Sequence, residues 1–322
     1  MVIGPPDRGT FANRSMKTLS FELKPVPPFR LDLTVWALRR RSENLVDQWD
    51  GSTYRRVLIQ SAPAEVAVNQ EGTAESPVLH VTVTGSRLPR GSASKFAEVL
   101  QKMFGLRIPL DEFYKFAARE KNLKALAERF RGVKPPRFPS LYEALVNGVS
   151  CQQLSLTVGI ILQNRLAQNY GLPFSRNGDI FYSFALPERV ARSNVPKLRQ
   201  LGFSRQKAEA LLDLSGKIAG EEINLQQYES LPDDVVLEQL YQLRGVGRWT
   251  GEYALLRGLG RIHIFPGDDV GAKNKLRTLL RLKQPPDYEA VKRLREKWKP
   301  FAGFIYFHLL LDGLADRGLL KV

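Results

Sequence analysis

Cysteine is almost missing from this sequence: Cys151 stands alone among 322 residues. One thiol can make no intramolecular disulfide, no four-cysteine zinc site and no cysteine-bound iron–sulfur cluster. Histidine is nearly as scarce. His80, His263 and His308 are scattered and lack metal-ligand spacing. His263, in an Ile-His-Ile run, and His308, in an apolar stretch, read as packing residues. No run reaches the roughly eighteen uncharged apolar residues of a membrane span, so no membrane association is expected. The first residues, MVIGPPDRGTFANRS, have no apolar signal core, and residues 1–16 read as a flexible tail. The thiol count fits a reducing compartment, which implies cytoplasm beside the nucleoid in a prokaryote or the nucleus in a eukaryote. Negative charge is also short, with 33 Asp+Glu against 48 Lys+Arg, a net charge of +15 and a pI near 9.9. That imbalance favours a polyanionic partner, nucleic acid above all.

What is present supports a packed chain, since 43% of residues are apolar. The length suits two or three domains. Residues 17–103 read as mixed α/β. Thr18 to Leu23 alternates, as does Leu31 to Trp36 around a proline-rich connector from Pro25 to Phe29. Arg56 to Ile59 and Val78 to Val83 are strand patterns bounded by turn residues. From Ser94 to Phe104 the spacing turns helical, and from there to the C-terminus the pattern is almost wholly helical. The expected class is α+β: an antiparallel-sheet domain over 17–103, a helical domain over 104–263, and C-terminal helices over 264–322.

Chemistry concentrates between Leu243 and Arg277. Leu237 to Leu243 is helical, Gly245-Val246-Gly247 turns, and a helix resumes at Arg248. Such a turn aims backbone amides and a helix N-terminus at one phosphate without reading sequence. The spacing of Gly245, Gly247 and Gly251 also resembles a dinucleotide fingerprint, but that needs a preceding strand, and Val236 to Tyr241 is helix-forming. Further on, Pro266-Gly267 precedes Asp268 and Asp269, which open a Lys/Arg-rich helix. An aspartate there is a favoured N-cap. A capping carboxylate is also held rigid and ionised. Near a sugar cation at about 4 Å it would contribute roughly 4 kcal/mol at an effective dielectric near 20, or about three powers of ten in rate.

These residues resemble the helix-hairpin-helix DNA glycosylases, and among them the bacterial 3-methyladenine DNA glycosylase II type. The hairpin, Arg248-Trp249-Thr250, Tyr253 one turn on, and Pro266-Gly267-Asp268-Asp269 carry the likeness. Leu201-Gly202 with Lys207-Ala208, Trp298-Lys299-Pro300, and Val149 to Gln153 extend it. The resemblance implies a two-lobed helical glycosylase core behind the sheet domain. It implies a monofunctional DNA N-glycosylase of base excision repair, acting on alkylated or otherwise damaged purines in double-stranded DNA as a monomer.

Position by position, the likeness makes Asp269 catalytic. Trp249 stands where lyase-competent relatives carry a nucleophilic lysine. Trp249, Tyr253, Trp36 and Leu310 would line the base pocket, Leu310 standing where the relative has a tryptophan. Gly245, Val246, Gly247, Arg248, Thr250 and Lys273 would contact DNA, as would Gln152 and Gln153, with Gln153 as the wedge. The main-chain carbonyls of Tyr241, Leu243 and Val246 would hold a structural Na+ or K+; no other cofactor is implied, and no iron–sulfur cluster. Two alternatives stay open: a glycosylase for oxidised or deaminated bases, and a lesion-binding protein without catalysis.

Overall fold

The computed structural model describes residues 16–176 and 178–320. Its N-terminal part is a five-stranded antiparallel sheet in the order β1-β5-β4-β3-β2. The strands are β1 (Lys17–Leu23), β2 (Gln48–Trp49), β3 (Thr53–Ile59), β4 (Pro63–Glu71) and β5 (Val78–Gly85). Along β5 the residues alternate buried and half-buried, so Leu79, Val81 and Val83 face the core. Helix α2 (Ser92–Met103) covers that face through Phe96, Leu100 and Met103. The β4 strand has no counterpart in the sequence reading; its Ala-Glu-Val-Ala-Val run mixes helix formers with β-branched residues.

Leu31 to Trp36 is not a strand but the start of helix α1 (Leu31–Arg39). Leu31, Leu33, Thr34, Val35, Ala37 and Leu38 are all buried. A helix buried nearly all round loses its amphipathic signature, so the accidental alternation of LDLTVW misleads. The helix ends at Arg40, whose φ of 62° is left-handed, and the Arg40 N–H closes on the Trp36 carbonyl at 2.9 Å.

The rest is helical with one exception. Helices α3 (Asp111–Arg119), α4 (Lys121–Arg129), α5 (Leu141–Cys151) and α6 (Leu156–Tyr170) come first. A short hairpin of β6 (Pro173–Arg176) and β7 (Asp179–Tyr182) then interrupts a region expected to be almost wholly helical. Next come α7 (Pro187–Ala191), α8 (Val195–Gln200), α9 (Arg205–Ala219), α10 (Asp233–Tyr241), α11 (Arg248–Arg257), α12 (Val270–Leu279), α13 (Tyr288–Trp298) and α14 (Ala302–Ala315). Ser140, Ser155, Ser204 and Asp287 cap their helices through side-chain oxygens.

The C-terminal helices fold back onto early ones. Phe113 of α3 stacks on Phe304 of α14 at 5.0 Å, and His308 of α14 sits 4.9 Å from Phe113. His308 is a packing residue, as expected. His263 is not: it is half-buried, with Nε2 2.5 Å from Asp233. The sheet part is tied to α5 by a buried ion cluster. Arg56 of β3 reaches Asp47 at 2.7 Å and Glu143 of α5 at 2.5 Å. This join fixes the end of α1 against the helical part, which matters for the site.

Candidate active site

The turn between α10 and α11 is built from glycines for two different reasons. Gly245 has φ 78°, and a Cβ there would lie 2.8 Å from Ala210. Gly247 caps α11 and has open space around its Cα, leaving that end of the helix accessible. Val246, by contrast, is largely buried. The loop after α5 is laced to this turn. Gln152 Nε2 donates to the Gly245 carbonyl at 2.7 Å and to Thr250 Oγ1 at 2.8 Å. Lys207 Nζ of α9 donates to the carbonyls of Ser150 and Gln152 at 3.0 and 2.6 Å. Two expectations change here. Thr250 is 1% exposed, so its hydroxyl braces Gln152 and is not free for DNA. The Gln152 Nε2 group is engaged in the same brace, while the residue stays half-buried and lines the cavity. Gln153 remains exposed, with a left-handed φ of 52°, at the rim of the cavity.

Asp269 caps α12, its Oδ1 accepting the Ala272 N–H at 2.8 Å. Its Oδ2 accepts from Tyr306 Oη at 3.0 Å and from Trp249 Nε1 at 3.3 Å. Three donors from three elements therefore orient one carboxylate. Burial, with the Asp269 charge beside it, drives the Tyr306 phenol well above its ordinary range, so it stays a proton donor. Asp268 turns away and pairs with Arg248 at 2.6 Å. The Arg248 guanidinium lies 3.5 Å over the Tyr288 ring.

The turn before the aspartates has its own support. Glu252 accepts the Gly267 N–H at 2.7 Å, the Tyr288 hydroxyl at 2.9 Å and Arg295 Nη1 at 2.5 Å. A Cβ on Gly267 would meet the Tyr288 ring at 2.7 Å, so glycine alone fits there. The sequence pattern gave no hint of Glu252, which looks like an ordinary polar residue between Trp249 and Tyr253. Tyr306 was hidden in the same way inside an apolar helix.

These residues border a cavity of about 930 Å³. Its lining includes Trp249, Tyr253, Asp268, Asp269, Tyr306 and Leu310. The Trp249 and Tyr253 rings are 5.2 Å apart and inclined by 30°. Tyr253 is held from behind: its hydroxyl donates to Asn147 Oδ1 at 2.8 Å and accepts from Arg40 Nη1 at 2.9 Å. Leu310 lines the cavity as expected. Trp36 does not; it packs against the Arg39 guanidinium at 5.2 Å, one turn before the helix end. The part of α1 that reaches the cavity is its C-terminus, through Arg40 and Arg41. Lys273 is also outside the lining, while Lys275, half a turn further, is inside.

Lys275 is the lysine among the described lining residues. It pairs with Asp312 and, at 2.7 Å, with Asp316. Burial pulls this ammonium down, but the hydrogen bonds to the two carboxylates outweigh it and leave the group raised. At the hairpin, the Leu243 carbonyl accepts the Val246 N–H at 3.1 Å. Among the described residues no backbone N–H outside the helices reaches the Tyr241 or Val246 carbonyl. Carbonyl oxygens at Tyr241, Leu243 and Val246 are ligands of the kind a monovalent cation, a hard ion, takes.

Residues 146–301 match the family described as HhH-GPD superfamily base excision DNA repair protein. A DNA-3-methyladenine glycosylase of Schizosaccharomyces pombe is 30% identical over 182 residues, 56% of this chain and 76% of that protein. The chain belongs to the HhH-GPD superfamily of base excision DNA repair proteins. The fold is shared with a 3-methyladenine DNA glycosylase from Archaeoglobus fulgidus, with a TM-score of 0.79 at 24% identity over 91% of this chain and 98% of that one. A Schizosaccharomyces pombe 3-methyladenine DNA glycosylase solved with abasic DNA gives a TM-score of 0.53 at 28% identity, covering 62% of this chain and 95% of that one.

Proposed function

We propose that this chain is a monofunctional DNA N-glycosylase that releases alkylated and related damaged purines and leaves an abasic site. One observation carries the reading: Asp269, fixed by three hydrogen bonds at a helix N-terminus, opens onto a cavity walled by Trp249 and Tyr253. The accessible N-terminus of α11 would take a backbone phosphate, and Gln153 would enter the gap left by the flipped nucleotide. Flipping costs a few kcal/mol, less at a damaged pair. The base then stacks in the aromatic cavity while Asp269 faces the sugar. As the N-glycosidic bond breaks, its electron pair leaves with the base and positive charge grows at the anomeric carbon. The carboxylate stabilises that charge, and water adds to the carbon as its proton passes, through solvent, to the departing base. A monovalent cation on the Tyr241, Leu243 and Val246 carbonyls would add positive charge near the bound phosphate. The protein acts on DNA as a monomer, in the cytoplasm or the nucleus according to its source.

A lyase would need a neutral amine at the sugar. Trp249 occupies the expected lysine position, and Lys275 is kept protonated by Asp312 and Asp316. The test is base release from duplexes carrying single lesions, followed by alkali to reveal abasic sites. We expect strand breaks only after alkali, and a rate lowered about 10³-fold in Asp269→Asn. Full-rate release by Asp269→Asn, or a borohydride-trapped covalent adduct, would reject the mechanism.

A further inference from the structure

Arg40 and Arg41 belong to the cavity lining, yet the carboxylate chemistry above makes no use of them. Each is only 5% exposed. Arg40 donates through Nη1 to Tyr253 Oη and through Nη2, at 2.7 Å, to Asn147 Oδ1. Arg41 donates through Nε to Thr157 Oγ1 at 3.0 Å and through Nη1 to the Arg40 carbonyl at 2.8 Å. Among the described residues, Arg41 Nη2 has no hydrogen-bond partner, and neither arginine pairs with a carboxylate. Guanidinium groups stay charged in proteins. Glu43 places a carboxylate charge near Arg41 and Asp47 one near Arg40, but neither makes a hydrogen bond or ion pair with these guanidinium groups among the described residues. Arg317 adds a like charge near Arg41, Lys275 is already paired, and burial raises the Cys151 thiol so that it remains neutral. Asp269 is bound to Ala272, Trp249 and Tyr306. A nearly buried guanidinium with a free N–H, opening into a cavity, is a donor waiting for an acceptor on the ligand.

We propose that Arg41, braced by Arg40, is the specificity-determining residue of this cavity, selecting flipped bases that are uncharged and present a carbonyl oxygen, and disfavouring cationic alkylated bases. The inference rests on the reading of the cavity as the base pocket and refines its substrate class. A carbonyl oxygen satisfies Nη2 with a charge-assisted hydrogen bond. A cationic base gains from the aromatic faces, but meets an unpaired like charge at low exposure. Arg40 closes the same region from behind and is woven into the Tyr253–Asn147 network, which makes it a positioning residue and Arg41 the group that reads.

The test uses three lesions that separate charge from the carbonyl. Hypoxanthine is neutral with a carbonyl, ethenoadenine is neutral without one, and 7-methylguanine is cationic with one. Single-turnover release would be measured for the native chain and for Arg41→Ala, Arg41→Gln and Arg41→Lys, each checked to be fully folded, with cooperative thermal unfolding well above the assay temperature. Arg41→Ala should lower hypoxanthine release by ~10-fold or more, as expected for loss of one charge-assisted hydrogen bond. Ethenoadenine release should change little, and 7-methylguanine release should rise. Arg41→Lys should keep the discrimination against 7-methylguanine while recovering part of the hypoxanthine rate. An equal fall for all three lesions would mean that Arg41 holds a phosphate, and would overturn the proposal, as would unaltered ratios. Kd values of Asp269→Asn and Asp269→Asn/Arg41→Ala for the same duplexes read the preference without chemistry. Failure of the glycosylase mechanism thus remains distinguishable from failure of the Arg41 assignment.

Discussion

The two charged parts of the cavity wall are built on opposite principles. Around Asp269 the carboxylates are engaged: Asp269 has three donors, Asp268 has Arg248, and Glu252 has a backbone amide, a phenol and a guanidinium. At the end of α1, two guanidinium groups are equally buried but lack carboxylate partners. The first arrangement fixes geometry, which a reacting centre needs, since preorganised charge requires no reorganisation during the reaction. The second leaves hydrogen-bonding capacity unspent, which only a ligand can use. Saturation marks where the chemistry is held, and an unmatched donor marks where the substrate is recognised.

That contrast can be broken most forcefully at Glu252. Glu252→Ala removes the partner of Arg295 and frees the Gly267 amide, both largely buried. Breaking such a pair typically costs about 3 kcal/mol or more. Urea unfolding should show that loss, and the misplaced Pro266–Gly267 turn should also slow base release. Arg41→Ala, which breaks no ion pair, should cost on the order of 1 kcal/mol. Equal losses for the two variants would mean that both walls are structural in the same sense.

The saturated wall was the more legible one. Gly245, Gly247 and the Asp268-Asp269 pair lie within one short stretch, where local rules of turns and caps apply directly. Asp269 is indeed an N-cap, and the capping role and the proposed catalytic role fall on one residue. Its supporters were not legible, because Tyr306 and Glu252 resemble routine helix residues until packing brings them together. At the guanidinium wall the sequence points to Trp36 as an aromatic, whereas the chain enters the cavity only after α1 ends, at Arg40 in a left-handed conformation. No local pattern links Arg41 to Asp269, since their meeting depends on how the sheet part docks through Arg56, Asp47 and Glu143. The β6–β7 hairpin was missed for a related reason: two very short strands carry little periodicity.

The two walls should also respond differently to acid. Helix α14 carries Tyr306 toward Asp269 and buries His308 against Phe113 and Phe130. Burial lowers the His308 imidazole from 6.5 to about 4, although its hydrogen bond with the Phe304 carbonyl opposes this. A folded value below the unfolded one means that the unfolded chain binds more protons between those limits. Stability from this group is therefore complete above about pH 6.5 and declines as the pH falls toward 4. The full loss is about 3 kcal/mol. Unfolding midpoints at pH 7.5 and 5 should differ less in His308→Leu than in the native chain. The guanidinium groups themselves do not titrate in this range, so the histidine of the helix beneath the catalytic wall is the group expected to respond between pH 7.5 and 5.

The smallest expected effect gives the sharpest test of saturation as a working principle. Tyr306→Phe removes one donor to Asp269 and leaves the ring in place against Phe265 and Phe307, whose centroids lie 5.4 and 5.6 Å away. The capping bond from Ala272 and the indole of Trp249 remain, so the carboxylate stays near its position with more rotational freedom. One hydrogen bond to a charged group corresponds to roughly 10-fold in rate. Single-turnover release should therefore fall by about that factor for hypoxanthine, ethenoadenine and 7-methylguanine alike, with unchanged Kd. This uniformity is the counterpart of the lesion-dependent response expected at Arg41. A Tyr306→Phe protein whose rate fell for one lesion and not the others would place recognition on the catalytic wall and dissolve the distinction between the two.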